Sequence, residues 1–433
     1  LAANGIYLKK RILAPNEDSV FAIYNFAVQL SALFLELIAL FHPKIKLFVE
    51  GRKGVQSYLQ KNIAKGDQII WIHTASLGEF EQGLPIIEQL KKDYPAYRIL
   101  VTFFSPSGYE VKKNTAAADM VTYLPMDTPK KAKKFLDIVD PKLVIFVKYE
   151  IWPNYLKTLG QRKTPTILIS ALFKDNQIYF KSFGGFMRKA LGNFTHIFVQ
   201  DSKSIALLNG IGIKNTDISG DTRFDRVIEI LQRDNTLKFM EEFKSNTQTL
   251  VAGSTWPEDE AILVPYINSG ESHLKFVLAP HNIKLEHINK LRASINKKTV
   301  LFSEIENIGN KDLTDYDVLI VDTIGLLTKI YSYADISYVG GGFATGLHNT
   351  LEPAVHGIPV IIGPNFKGFK EAEDLVIKGG ILIVKSKMEF NTLMNELLGD
   401  LEYLSKTGNI NGTYVSENKG ASVQIMTYIR TLL

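Results

Sequence analysis

Three stretches of this 433-residue chain carry residue types and spacings suited to acid–base chemistry beside a bound phosphate. The first is Thr74-Ala75-Ser76-Leu77-Gly78-Glu79-Phe80-Glu81. Small residues let the backbone turn tightly after an apolar run, and Glu79 lands at the start of the helix that follows. A carboxylate there complements the helix dipole by a few tenths to about 1 kcal/mol. At a strand end it is equally well placed to act as a general base. The second stretch, Lys148-Tyr149-Glu150-Ile151-Trp152-Pro153-Asn154, gathers a lysine, a carboxylate and an indole at one strand end. An internal Lys148–Glu150 pair packed by Trp152 is the plainer reading, a second site carboxylate the sharper one. Between them, Ser105-Pro106-Ser107-Gly108 offers two hydroxyls and backbone donors, either to an anion or to the helix beginning near Tyr109.

The third stretch, 335–364, reads DISYVGGGFATGLHNTLEPAVHGIPVIIGP. A strand runs into Gly340-Gly341-Gly342, a loop reaches His348-Asn349, and a helix is expected to open with Thr350-Leu351-Glu352. Glycines permit close backbone approach, and a helix N-terminus supplies unpaired N–H donors, so this is an expected phosphate seat. Glu352 can accept from two adjacent ribose hydroxyls. The spacing is neither the dinucleotide-binding G-x-G-x-x-G nor the P-loop pattern, which weighs against hydride transfer and ATP hydrolysis.

The elements that must position these groups follow from the apolar pattern. Near-continuous apolar runs at Gln68–His73, Arg98–Phe104, Leu143–Val147, Thr166–Ser170 and His196–Gln200 alternate with helical stretches. A second set follows at Thr249–Ala252, Lys275–Ala279, Thr299–Phe302, Val318–Val321, Ile336–Val339, Pro359–Ile362 and Ile381–Val384. Such runs predict parallel sheets covered on both faces. The fold class is α/β, with two Rossmann-like domains facing across a cleft and Asp201–Gln248 as a connector without a core strand. Ligands in open α/β sheets bind beyond the carboxyl ends of strands, so chemistry belongs in the loops there. The expected division is an N-terminal segment 1–50, a first domain 51–222 and a second 223–433, whose last helix, within Asn418–Leu433, packs back on the first.

Composition narrows the function class. Apolar residues make up 45% and charged residues 22%, an ordinary globular balance that excludes disorder and a multi-span membrane protein. No cysteine is present, which rules out a disulfide scaffold, a thiolate zinc site and a cysteine nucleophile. Residues 1–220 hold 29 Lys and Arg against 18 Asp and Glu, and the remaining residues hold 21 against 27. A basic first half suggests an anionic partner. The run Val20–Phe41 carries one charge, Glu36, over 22 residues. It fits a helix buried on the first domain, an interfacial anchor or a single span; Lys44, Lys46, Arg52 and Lys53 after it suit anionic headgroups. Asp315-Tyr316-Asp317 resembles a metal-binding pair but sits at the amino end of a strand, away from the expected site. Glu258-Asp259-Glu260 reads as an acidic first helical turn. His281 and His287 lack zinc spacing, and Lys130, Lys131, Lys133 and Lys134 read as a solvated helix face.

The chain from about Tyr24 onward resembles the Kdo transferases of Gram-negative bacteria, the 3-deoxy-D-manno-octulosonic acid transferases of lipopolysaccharide assembly. The resemblance is carried by Gly51-Arg52-Lys53, His73 through Glu79, Tyr149 through Asn154, Gly220-Asp221-Thr222-Arg223-Phe224-Asp225, and Gly340 through Glu352. It implies the GT-B fold and transfer of Kdo from CMP-Kdo to a lipid A precursor of the lipid IVA type, inverting and without a metal ion. The partners so implied are CMP-Kdo, the lipid acceptor and the cytoplasmic face of the inner membrane, with no nucleic acid and no cofactor. The apolar N-terminal helix then reads as membrane-associated. Glu79 aligns with the family's general base and Glu150 with a second site carboxylate. The substrate-binding set implied comprises Ser76, Gly78, Ser105, Ser107, Gly108, Arg223, Ser254, His281, Thr323, Gly325, Gly340, Gly341, Gly342, His348, Asn349, Thr350 and Glu352. The chain departs from the family at His281-Asn282, where an Arg-His pair is usual, and at Leu326, where a Glu is usual. Competing readings are another GT-B enzyme, such as a UDP-sugar transferase or an epimerase, and a non-catalytic nucleotide-sugar binding protein at the membrane.

Overall fold

A computed structural model describes residues 17–269, 274–307, 312–344 and 346–433. Residues 1–16, on which part of the expected N-terminal segment falls, lie outside the described residues. The chain divides into two compact units, one ending at Arg223 and rejoined by Gly420–Leu433, the other Phe224–Lys419.

In the first unit seven parallel strands form one sheet: β1 Gln68–Thr74, β2 Tyr97–Phe103, β3 Met120–Tyr123, β4 Leu143–Val147, β5 Thr166–Ala171, β6 His196–Val199 and β7 Thr216–Ile218, in the order β3-β2-β1-β4-β5-β6-β7. The second unit repeats the plan with β8 Gln248–Thr255, β9 Leu274–Pro280, β10 Thr299–Leu301, β11 Val318–Ile320, β12 Ile336–Val339, β13 Val360–Ile362 and β14 Ile381–Ile383, in the order β10-β11-β9-β8-β12-β13-β14. The apolar runs of the sequence become strands with small shifts at their ends. Two short edge strands, β3 and β7, were not expected. β7 lies in the stretch read as a connector and is half-buried to exposed, so it carries little apolar signal.

Each sheet packs helices on both faces, which is why its inner strands are apolar without alternation. Proline opens several of the helices that follow strands, at Pro106, Pro129, Pro153 and Pro257. Its missing N–H is one the first turn would leave unbonded anyway. The helix Ala421–Ile429 buries Ile425, Met426 and Ile429 in the core cluster of the first unit that includes Ile70, Phe80 and Val101. Arg430 pairs with Asp93 at 3.0 Å there.

The helix Glu17–Ile38 is not a core helix. Tyr24 Oη donates to Asp127 Oδ2 at 2.7 Å, and Asn154 Nδ2 donates to Asn25 Oδ1 at 2.8 Å, fixing one stripe to the first unit. Its other face exposes Ile23, Phe26, Leu30, Leu33, Phe34 and Leu37, followed by Leu40 and Phe41. Arg52, expected among the cations facing headgroups, instead turns inward. It donates to the carbonyls of Leu124, Phe48 and Phe104 and lies over the Phe48 ring at 3.6 Å. Neighbouring Gly51 is required by packing, since a Cβ there would stand 2.2 Å from the Tyr123 ring.

Candidate active site

Both sheets reverse their direction of growth at one point, and that is where loops splay apart to leave room for a ligand. In the first unit the reversal lies between β1 and β4, and these strands lead into Glu79 and Glu150 respectively. In the second it lies between β8, which carries Ser254 at its end, and β12, which leads into Gly340. Because the strands are parallel, His281 after β9 and Thr323 and Gly325 after β11 share the second edge. Three non-glycine residues at strand ends, Lys148, Ser170 and Ser254, take left-handed backbone with φ of 64°, 52° and 54°. Such strain concentrates where a side chain must be aimed.

At the first edge Glu79 opens the helix Leu77–Asp93. Its Oε2 accepts from the Ala75 N–H at 2.5 Å and the Ser76 N–H at 3.0 Å, so the capping role is real. Burial, and then the nearby Glu150 charge, push its pKa up to about 7 despite the two amide donors and Lys148. Glu150 is not simply a partner of Lys148: its Oε2 accepts from Trp152 Nε1 at 2.7 Å and lies 3.0 Å from His73 Nε2. Ser105 belongs to the same loop cluster, because its N–H donates to the Ala75 carbonyl at 2.7 Å. Its hydroxyl lies 2.7 Å from that of Ser107 and caps the helix Pro106–Lys112. Gly108 is required by packing against Phe103 and the Leu77 backbone, whereas a Cβ on exposed Gly78 would meet nothing within 4 Å. Arg223 is tethered: Nε and Nη2 reach Asp221 Oδ2 at 3.0 and 2.8 Å. Gln82 Nε2 donates to the same oxygen at 2.9 Å. Burial alone would raise the Asp221 pKa, but Arg223 and these hydrogen bonds hold it below the usual carboxylate value.

At the second edge the helix opens where expected, after Thr350, and two features of the loop before it stand out. The glycines do not hold open space. A Cβ on Gly340 would stand 2.3 Å from the Ser254 carbonyl oxygen, one on Gly341 2.1 Å from that of Gly346, and one on Gly342 2.7 Å from the Gly363 nitrogen. Their freedom is used for backbone-to-backbone packing within the unit. The helix expected from Thr350 is a single turn, Leu351–Ala354, and Asn349 Oδ1 already accepts its Leu351 N–H at 3.1 Å. Asn349 Nδ2 in turn donates to Glu352 Oε1 at 3.1 Å, and Thr350 is buried. Asn349 and Glu352 therefore meet in one hydrogen-bonded pair at the loop's end.

The acidic turn Glu258-Asp259-Glu260 proves to be more than a solvated helix start. Asp259 is fully buried and accepts from the Trp256 N–H at 2.9 Å, the Gly341 N–H at 2.8 Å and Tyr338 Oη at 2.8 Å. It thereby fastens the glycine loop to the end of β8. Glu260 accepts from Thr255 Oγ1 at 3.1 Å and lies 3.0 Å from His287 Nε2; burial raises its pKa. His281 stacks on Trp256, with ring centroids 4.6 Å apart, and lies 4.7 Å from His348. Trp256 Nε1 donates to His348 Nε2 at 3.1 Å, and burial, with His281 adding to it, lowers the His348 pKa. His348 is therefore a neutral acceptor. Beside Thr323 and Gly325, the Asp322 side chain accepts from the Ser303 N–H and hydroxyl.

Sequence reasoning left Trp256 unremarked, read Asp259 as part of an acidic first helical turn, and gave His73 no contact with Glu150. Asp259 had a local signal, an acid three residues after Trp256 at a proline-opened helix, but its bond to Gly341 spans 82 residues.

Residues 49–226 match the family described as 3-deoxy-D-manno-octulosonic-acid transferase (kdotransferase). The chain is 32% identical over 359 residues to the 3-deoxy-D-manno-octulosonic acid transferase of Aquifex aeolicus, covering 80% of this chain and 92% of that one. It is 27% identical over 418 residues to the protein of that name from Haemophilus influenzae, covering 92% and 95%. Among solved structures it resembles UDP-GlcNAc 2-epimerase from Neisseria meningitidis bound to UDP-GlcNAc, with a TM-score of 0.59, 17% identity, and 84% and 100% of the two chains covered. At that identity the likeness is one of fold, the GT-B plan of two Rossmann-like units.

Proposed function

From the premise that the chain belongs to the 3-deoxy-D-manno-octulosonic acid transferases, glycosyltransferases of lipopolysaccharide synthesis, we propose that it moves Kdo from CMP-Kdo to a lipid A precursor of the lipid IVA type. Glu79 acts as the general base. The two amide N–H groups engage Oε2, which leaves Oε1 to take the proton of the acceptor hydroxyl. As that proton leaves, the hydroxyl oxygen forms its bond to the anomeric carbon from the side opposite the phosphate. The bond to the phosphate oxygen breaks, and CMP departs with the electron pair. Base assistance of this kind is typically worth roughly 10²–10⁴-fold. Inversion follows from the single displacement.

The donor belongs at the second edge, beside the Trp256, His281 and His348 rings and the Asn349–Glu352 pair, with Glu352 toward the ribose. Ser254, Thr323, Gly325 and Thr350 frame the same edge. The acceptor belongs at the first, where exposed Gly78 leaves clearance and Ser76, Ser105 and Ser107 supply polar groups. Arg223, held by Asp221, offers a fixed positive charge to an anionic group. No metal and no cofactor enter this scheme. The oxygens by which Glu79 and Glu150 are anchored already serve N–H donors, and CMP is a good leaving group without help. Chelator treatment should leave turnover unchanged.

The exposed apolar face of Glu17–Ile38 supports seating on the cytoplasmic face of the inner membrane, where the lipid acceptor resides. Each large apolar side chain withdrawn from water contributes about 1.5–3 kcal/mol. The Tyr24 and Asn25 bonds to the first unit favour a helix lying on the surface over one that spans.

The half-buried Glu79 at the reversal point of the first sheet, its pKa raised, carries this reading. Incubation with CMP-Kdo and a tetraacyl lipid A precursor, read by product mass, tests it. Products heavier than the acceptor by whole Kdo residues are expected. An unchanged acceptor, or transfer from a UDP-sugar instead, overturns it.

A further inference from the structure

The strand register places His73 opposite Thr102 on β2 and Phe146 on β4, with Trp71 two residues earlier on the same face. His73 is fully buried. Trp71 Nε1 lies 2.8 Å from Thr102 Oγ1, and an indole nitrogen only donates, so the threonine oxygen accepts there. His73 Nδ1 lies 2.9 Å from that hydroxyl and 3.1 Å from the Thr102 carbonyl. With the Thr102 hydroxyl donating to Nδ1, Nε2 carries the ring hydrogen, and it points at Glu150 Oε2, 3.0 Å away. Trp152 Nε1 donates to the same oxygen.

We propose that His73, oriented by Thr102 and Trp71, is a positioning residue that holds Glu150 as an ionised acceptor beside Glu79. This rests on the reading of Glu79 as base. Two ring N–H groups converging on one oxygen fix where the Glu150 carboxylate sits. The charge so fixed disfavours a second charge on Glu79 and keeps that base near neutrality, where its proton affinity is most useful. The other charged or titratable groups facing the pair are Lys148 and Tyr149 on the loop after β4, Tyr179, and, toward Tyr149, Asp201, Asp221 and Arg223.

The test is the pH dependence of kcat for full-length protein at saturating CMP-Kdo and lipid acceptor. His73→Phe, which keeps a ring and removes both hydrogen bonds, is compared with His73→Gln, whose amide offers one acceptor and one donor. The expected His73→Phe result is an acid limb moved about one unit to lower pH and a plateau kcat roughly tenfold lower, with KM little changed. His73→Gln should keep the wild-type limb. If His73→Phe fails to fold by circular dichroism, Thr102→Val provides the same comparison. It removes the hydroxyl that serves the neutral ring and should move the limb in the same direction. A folded His73→Phe or Thr102→Val with the wild-type limb overturns the inference alone. Absence of any acid limb in the wild type, with turnover retained in Glu79→Ala, overturns the base assignment, and this inference with it.

Discussion

The two sheet edges solve the same problem with different materials. At the first, burial and the neighbouring Glu150 raise the Glu79 pKa, and Glu150 lies within hydrogen-bond reach of the His73 and Trp152 ring nitrogens. At the second, the strand ends meet through backbone, and a buried carboxylate, Asp259, locks the glycine loop in place. One edge is tuned by charge and the other by shape. Substitutions should therefore report through pH at the first edge and through folding at the second. The glycines make the contrast sharpest: Gly340 has no space for a side chain, whereas Gly78 has space that no protein atom fills.

Gly340→Ala should give the largest change in stability. The clashing atoms are the Ser254 carbonyl and the Thr255 Cα, neither the flexible end of a side chain. A loss of about 1–3 kcal/mol is expected by denaturant titration. Wild-type stability there would show that the backbone contact is looser than described.

Next in size is the pH dependence that Glu79 imposes on stability. Its folded pKa, about 7, lies above its ordinary 4.5, so between these values the folded protein binds more protons than the unfolded chain. Stability must fall as pH rises through that window, with the loss complete above it. Glu79→Gln removes this slope. Relative to wild type it should gain about 1–3 kcal/mol between pH 5 and pH 8, read by urea unfolding at both. Parallel curves for the two proteins would place the Glu79 pKa near its ordinary value.

Smallest in stability, and the complement of the first, is Gly78→Ala. Alanine favours a helix and meets no neighbour, so stability should hold or rise by up to about 1 kcal/mol. The acceptor KM should rise nonetheless, because the added methyl occupies room assigned to substrate. Unchanged KM would move the acceptor away from this turn.

Much of this arrangement was legible in the sequence. Apolar runs marked the inner strands because burial on both faces removes alternation. The edge strand β7 escaped because it buries little, and β3, though wholly buried, is only four residues long. Glu79 stood out because a strand-to-helix turn shows in local sequence. The glycine loop was found, but its packing against the backbone of Ser254, Gly346 and Gly363 was not. A glycine that admits a phosphate and one that admits another backbone look alike until the neighbouring strand is in place. The helix after Asn349 ended early because Gly357, at φ 68°, turns the chain into β13 after Leu351–Ala354. His73 opened a recognised motif, but its contacts were invisible because its partners lie 29 and 77 residues away.

All of this converges on proton removal by one carboxylate. The most direct measurement is the single-turnover rate of Kdo transfer by Glu79→Gln with CMP-Kdo bound, its donor affinity measured separately. A rate lower by roughly 10²–10⁴-fold, with donor affinity within about twofold of wild type, is the predicted result. A rate matching the wild type would contradict the assignment of Glu79 as the base.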